Sequence, residues 1–160
     1  MALTRELRNG IGISALIIAA DQASKWWITE VVMQPPQVIP VTSFFNIVLG
    51  FNRGVSFGIF DSDSQVGRWL LVFLALAISA ALVVWMTRAT SWWVIAALGL
   101  IVGGALGNVI DRALIGAVVD FLDFHWAGHH WPAFNIADSA ISTGAVVLIA
   151  DSLFVGDGKD

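Results

Sequence analysis

Trp69-Leu-Leu-Val-Phe-Leu-Ala-Leu-Ala-Ile-Ser-Ala-Ala-Leu-Val-Val-Trp-Met-Thr87 runs without a charge between Arg68 and Arg88. As a helix this stretch rises about 28 Å, the thickness of a bilayer's hydrocarbon core, so it reads as a membrane span. Working outward, Trp92 to Ile110 repeats the pattern after a short connection. Ala137 to Phe154 gives a further span, with Asp138 at its start and Asp151 near its end. Gly10 to Val32 makes another, although Asp21 and Lys25 lie inside it. Trp69 and Trp85 bracket one span and Trp92 and Trp93 open the next, as expected of indoles that prefer the membrane interface. The expectation is an all-α polytopic membrane protein of four transmembrane helices, forming a single integral membrane domain over residues 1–160.

Composition agrees with that reading. The 160 residues are 58% hydrophobic and 12% charged, with a mean hydropathy of +0.81. The charged share is about half that of an ordinary soluble domain, which argues against a water-soluble enzyme. Twelve acidic and 8 basic residues leave a net charge of −4, and no basic run offers a footprint for nucleic acid. The absence of cysteine excludes disulfides, thiolate metal sites and a cysteine nucleophile.

Lysine and arginine stay on the cytoplasmic side of short loops. Arg5, Arg8, Arg88 and Lys159 fall on one side of the four spans, and Arg53, Arg68 and Arg112 are spread thinly over the other. Both termini are therefore expected in the cytoplasm. The first span reads as uncleaved, because a signal-peptide cut after Ala20 would place the bulky Ile18 where a small residue is needed.

Between the first two spans, residues 33–67 carry Pro35, Pro36 and Pro40, which forbid a continuous helix. Phe44–Leu49 and Val55–Phe60 are rich in aromatic and β-branched residues, with Asn52-Arg53-Gly54 as a turn between them. A small sheet on the outer side is expected. Residues 111–134 form the second outer connection, where Phe121, Leu122, Phe124, Trp126 and Trp131 suggest an amphipathic segment lying in the interface.

Ionisable side chains at membrane depth are costly, so each needs a partner or a purpose. Asp21 and Lys25 stand four residues apart on one helical face and can pair, as a structural tie or in ion coupling by a transporter. Gly99, Gly103 and Gly107 recur every fourth residue and let a second backbone approach closely. At the end of that face come Asn108, Asp111 and Arg112, the last two able to pair with each other or with headgroups. Asp120 follows Ala117-Val118-Val119 in an apolar setting, and Asp138 opens the last span just after Asn135. Both belong to the outer side of the membrane. Two carboxylates in one apolar site cannot both ionise cheaply, so such a pair would share a proton and could activate water against a peptide bond. The plainer readings are a helix cap for Asp138 and a loop acid for Asp120. Asp123, three residues from Asp120, has no place in that pair.

Two further patterns compete. Gly54-Val55-Ser56-Phe57-Gly58 matches the G-x-S-x-G nucleophile pattern of a serine hydrolase but lacks the alternating strand and helix context in which that elbow works. His125, His129 and His130 include a pair four apart, yet they lie in an aromatic loop with no established zinc motif, so no metal is expected.

Five ordered blocks add a resemblance. Asp21-Gln-Ala-Ser-Lys25, Asn52-Arg-Gly-Val-Ser-Phe57, Gly103-Gly-Ala-Leu-Gly-Asn108-Val-Ile-Asp111-Arg112, Gly116-Ala-Val-Val-Asp120-Phe121 and Phe134-Asn135-Ile-Ala-Asp138 resemble the motifs of lipoprotein signal peptidase, the bacterial intramembrane aspartic peptidase also called signal peptidase II. The resemblance implies four transmembrane helices with an extracytoplasmic β-cradle and a short amphipathic segment. It implies Asp120 and Asp138 as the catalytic pair, with Asn52, Gly54, Asn108, Arg112 and Asn135 lining the site and Asp21, Lys25 and Asp111 supporting the structure. The implied substrate is a prolipoprotein whose cysteine already carries a diacylglyceryl group, cut just before that cysteine. No cofactor is implied, and globomycin is the implied inhibitor. The implied location is the bacterial inner membrane, as a monomer among membrane lipids, with the active site near the outer face.

Overall fold

A computed structural model describes residues 5–54 and 65–154. Val55–Phe60 and Ser56 lie outside the described residues. Four long helices and four short strands follow in the order α1 (Arg5–Trp27), β1 (Ile39–Thr42), β2 (Phe45–Asn52), α2 (Gln65–Met86), α3 (Trp92–Ile115), β3 (Val118–Trp126), β4 (His129–His130) and α4 (Ile136–Phe154). A π-helical turn over Ile28–Val32 extends α1. Helices α2, α3 and α4 are long and apolar enough to cross a membrane. α1 has comparable length, 23 residues, but its apolar run is broken by the polar pair at Asp21 and Lys25.

α3 is the centre of the bundle, because its glycines clear two faces at once. A β-carbon at Gly99 would lie 2.8 Å from the Gly10 carbonyl oxygen, and one at Gly103 2.8 Å from that of Ser14, so this face receives the α1 backbone. Gly104 turns the other way, where a β-carbon would overlap the Ala137 carbonyl at the start of α4. Gly144 answers from α4, a β-carbon there lying 2.6 Å from the Ala97 carbonyl. Such backbone approach replaces the hydrophobic drive that helices lose in lipid. Ser14 exploits it, its hydroxyl donating to the Gly99 carbonyl at 2.9 Å. The outward faces remain apolar and exposed, with Phe73, Leu76, Val84 and Ile149 among them.

The strands form one antiparallel sheet in the order β1-β2-β3-β4. The expected strand at Phe44–Leu49 is present as β2 and continues to Asn52, where the expected turn begins: the Gly54 amide donates to Asn52 Oδ1 at 3.0 Å. Gly54 has φ +120°, and a β-carbon there would meet Leu71 of α2 at 2.7 Å, so glycine fits both the backbone conformation and the space.

Residues 111–134 depart from expectation. α3 continues to Ile115, which puts Asp111 and Arg112 on the helix instead of in the loop. It stops at Gly116, whose φ of +82° is the left-handed stop common after helices. The rest is strand rather than a free amphipathic segment. β3 pairs with β2 in the register Gly50↔Asp120 and Asn46↔Asp123, with an irregularity in β2 between Ile47 and Gly50. The physical reason is that the unsatisfied backbone edge of β2 takes this segment as a neighbour. The aromatic side chains then do lie at the rim, with Trp126 and Trp131 exposed.

Candidate active site

α4 begins with a reciprocal cap that fixes Asp138. Asn135 Oδ1 accepts from the Asp138 amide at 2.9 Å, while Asp138 Oδ2 accepts from the Asn135 amide at 3.3 Å. This is the capping-box geometry, so the helix-cap reading of Asp138 describes one of its oxygens. The other, Oδ1, accepts from Asn108 Nδ2 of α3 at 2.8 Å. Asp138 is half-buried.

Asp120 comes from β3 and is buried, 4% exposed. Its Oδ1 accepts from Asn135 Nδ2 at 2.8 Å, and the Asn52 side chain also hydrogen-bonds the carboxyl. The same asparagine thus touches both residues: its side-chain nitrogen donates to the Asp120 carboxyl, its side-chain oxygen caps the Asp138 backbone amide, and its own backbone amide donates to the Asp138 carboxyl. Burial pushes the Asp120 carboxyl up to about 6, the Asp138 charge adds to the rise, and the Asn52 and Asn135 hydrogen bonds and the Lys25 charge work against it. A carboxyl so placed keeps a proton in the range where an exposed aspartate has lost it.

Beneath the acids lies a buried charge network. Lys25 Nζ sits 2.7 Å from Asp21 Oδ2 and 2.7 Å from Asp111 Oδ2, and donates to Asn108 Oδ1 at 3.1 Å. Asp21 Oδ1 accepts from the Ala137 amide at 2.9 Å, satisfying another free donor at the start of α4. Asp111 Oδ2 accepts from the Val119 amide at 3.1 Å, which ties β3 to α3 one residue before Asp120. Asp111 therefore joins Lys25 and does not pair with Arg112. Arg112 Nη1 donates to the Asn108 carbonyl at 3.4 Å, and its guanidinium lies within the electrostatic reach of Asp138, Asp120 and Asp111.

Sequence reading missed Gln22. Its Nε2 donates to Asp111 Oδ1 at 2.8 Å and lies 3.2 Å from Asp21 Oδ2, bridging the two acids that Lys25 neutralises. An amide inside an apolar span, adjacent to Asp21, was the available signal. Asp123 stands apart from the network. Asn46 Nδ2 donates to its Oδ2 at 2.8 Å, and His130 Nδ1 lies 2.9 Å from its Oδ1. Burial works against the charge on Asp123, but the Asn46 and His130 contacts hold its carboxyl below the usual range. His125 stacks on His130, ring centroids 4.9 Å apart, instead of pairing with His129, and no metal-ligating cluster exists among the described residues.

The sequence profile of the family described as signal peptidase (SPase) II matches residues 13–154. The chain belongs to the signal peptidase II family. A lipoprotein signal peptidase of Methylorubrum extorquens is 50% identical over 91% of this chain and 86% of its own length. One from Burkholderia vietnamiensis is 50% identical over 89% and 86%. Among solved structures, a bacterial membrane enzyme determined by the in meso method at 2.3 Å is 30% identical, with a TM-score of 0.83 over 100% of this chain and 96% of that one. A second, determined at 1.9 Å, is 32% identical, with a TM-score of 0.80 over 91% and 93%. This signal peptidase II is a multi-pass membrane protease with a mostly helical fold and a small antiparallel sheet.

Proposed function

We propose that the peptidase removes signal peptides from diacylglyceryl-modified prolipoproteins by aspartic catalysis, cutting before the lipidated cysteine, with Asp120 and Asp138 as the catalytic pair. The carrying observation is that Asn135 donates to both carboxyls, to Asp120 from its side-chain amide and to Asp138 from its backbone amide, joining β3 to the first turn of α4. Asp120 bears the proton, in keeping with its burial, and donates it toward the scissile carbonyl oxygen. Asp138, the more open of the two, takes a proton from water as the water oxygen adds to the carbonyl carbon. Collapse of the tetrahedral adduct breaks the carbon–nitrogen bond: the departing amine of the cysteine takes the proton that Asp138 received, and one hydroxyl of the adduct returns its proton to Asp120 as the product carboxyl forms. Asn108 and Asn135 hold the acids' geometry. Asn52 and Gly54 border the site from the outer turn, Arg112 offsets the charge that builds on the adduct, and Asp21, Lys25 and Asp111 fix the base of the site.

The chain crosses the bacterial inner membrane four times, α1 included, with both termini cytoplasmic and the acids near the outer face. The lysine and arginine distribution supports this orientation. The test is incubation of detergent-purified protein with a diacylglyceryl prolipoprotein, reading the new N-terminus by mass spectrometry, with and without globomycin. Release of a peptide ending just before the cysteine, lost in Asp120→Asn, is the expected result. Cleavage retained in that variant refutes the aspartic assignment.

A further inference from the structure

A cavity of about 450 Å³ opens beside the half-buried Asp138, walled by Asp138, Ser139, Ser142 and Thr143 of α4 on one side and by the Trp131–Phe134 segment on the other. Three hydroxyls line one face of a helix that then continues with apolar residues only from Gly144 to Ala150. Ser139 is satisfied within the fold, its hydroxyl donating to the Asn135 carbonyl at 2.8 Å. Ser142 and Thr143 are exposed and have no hydrogen-bond partner among the described residues. A free donor facing hydrocarbon is unfavourable, so two of them in one cavity point to a ligand that brings acceptors to membrane depth.

We propose that Ser142 and Thr143 seat the glyceryl ester carbonyls of the lipid attached to the substrate cysteine. The inference rests on the peptidase reading above and adds a lipid-recognition site to it. Ester carbonyls accept hydrogen bonds and donate none, which matches hydroxyl donors in a setting without competing water. Ser142 lies one helical turn, about 6 Å, further along α4 than Asp138, in the direction that leads into the bilayer. A cysteine whose amide bond is at the acids would direct its thioether-linked glycerol that way. The exposure of both hydroxyls lets the acyl chains continue into surrounding lipid. Trp131 and Pro132 close the cavity above, toward the interface. The same ester chemistry occurs in bulk phospholipid, so the test must separate the two sources.

The experiment compares two synthetic lipopeptides in phospholipid-free detergent, one carrying diacyl ester chains and the other carrying ether chains of equal length. The ethers keep the apolar bulk but lose the carbonyl acceptors. Wild-type kcat/KM is expected to favour the diester about tenfold, as two modest hydrogen bonds predict. In the double variant S142A/T143V that ratio falls to about one, with the loss in KM. A ratio of one in the wild type, as expected if the cavity holds only bulk lipid, overturns the proposal. So does a double variant in which both substrates decline equally, since the hydroxyls would then serve only the fold. Failure of the wild type to cut either peptide refutes the peptidase reading itself, a result distinct from both.

Discussion

Asp120 and Asp138 are chemically alike and differ in surroundings, and in the proposed mechanism that difference separates their two roles. Replacement of either by asparagine should lower cleavage by at least about a thousandfold, the range lost when an acid or base catalyst is removed, as measured by single-turnover release of signal peptide. Asp123→Asn should retain cleavage, because its partners Asn46 on β2 and His130 on β4 make no contact with Asp120 or Asp138 among the described hydrogen bonds. The proton held by Asp120 gives the pH dependence a sign. Its carboxyl is raised to about 6, so the form with one shared proton is depleted as pH climbs past that value. kcat/KM should fall on the alkaline side with an apparent pKa that belongs to the pair. The same shift bears on folding: its stabilising contribution is complete below the unfolded pKa near 3.8 and fades as pH rises through about 6. Asp120→Asn should therefore gain stability relative to wild type between pH 4 and pH 8 in detergent unfolding curves. A constant difference across that window would remove burial as the cause of the shift.

At the scale of elements, the site depends on how closely α3 lets its neighbours approach. Gly104 is the sensitive contact, since a β-carbon would overlap the Ala137 carbonyl one residue before Asp138. Gly104→Ala should destabilise by about 1–3 kcal/mol through overpacking and reduce kcat more than KM, because it moves one acid relative to the other. Gly12→Ala is the matched control: nothing lies within 4 Å of its β-carbon, and it should stabilise α1 by about 0.5–1 kcal/mol. Equal kcat losses in the two variants would rule out helix approach as the positioning device. The glycine repeat on α3 was legible in sequence because close backbone approach needs absent side chains. The sequence alone places residues 111–134 in the interface, for aromatic residues at a membrane surface and aromatic residues on a strand are written alike. What distinguishes them is the free edge of β2, which lies more than sixty positions away in the chain. Asp120 and Asp138 stood out as isolated acids between apolar spans, whereas their common partner Asn135 was explicable only by the resemblance. An asparagine before a helix looks like an ordinary cap until the strand behind it is in place.

For the whole molecule, the charge network and the membrane topology are linked. Lys25 is 4% exposed between Asp21 and Asp111, so Lys25→Met leaves two buried acids facing each other. Loss of one member of a buried ionic group costs about 3–5 kcal/mol, and the melting temperature in detergent should drop accordingly. The network also anchors α1 to α3, so the proposed four-span arrangement requires α1 to cross the membrane beside α3. The chain contains no cysteine, so single cysteines can report its topology directly. Gln37→Cys, between α1 and β1, and His129→Cys, on β4, should react in intact cells with a maleimide that cannot cross the inner membrane. Thr90→Cys, between α2 and α3, and Ser152→Cys, near the end of α4, should react only after lysis. A cysteine appended ahead of Met1 decides α1 itself: labelling only after lysis, alongside external labelling of Gln37→Cys, means that α1 crosses. External labelling at both ends would instead place α1 along the outer surface, and the sparse outer lysines and arginines would then need another explanation.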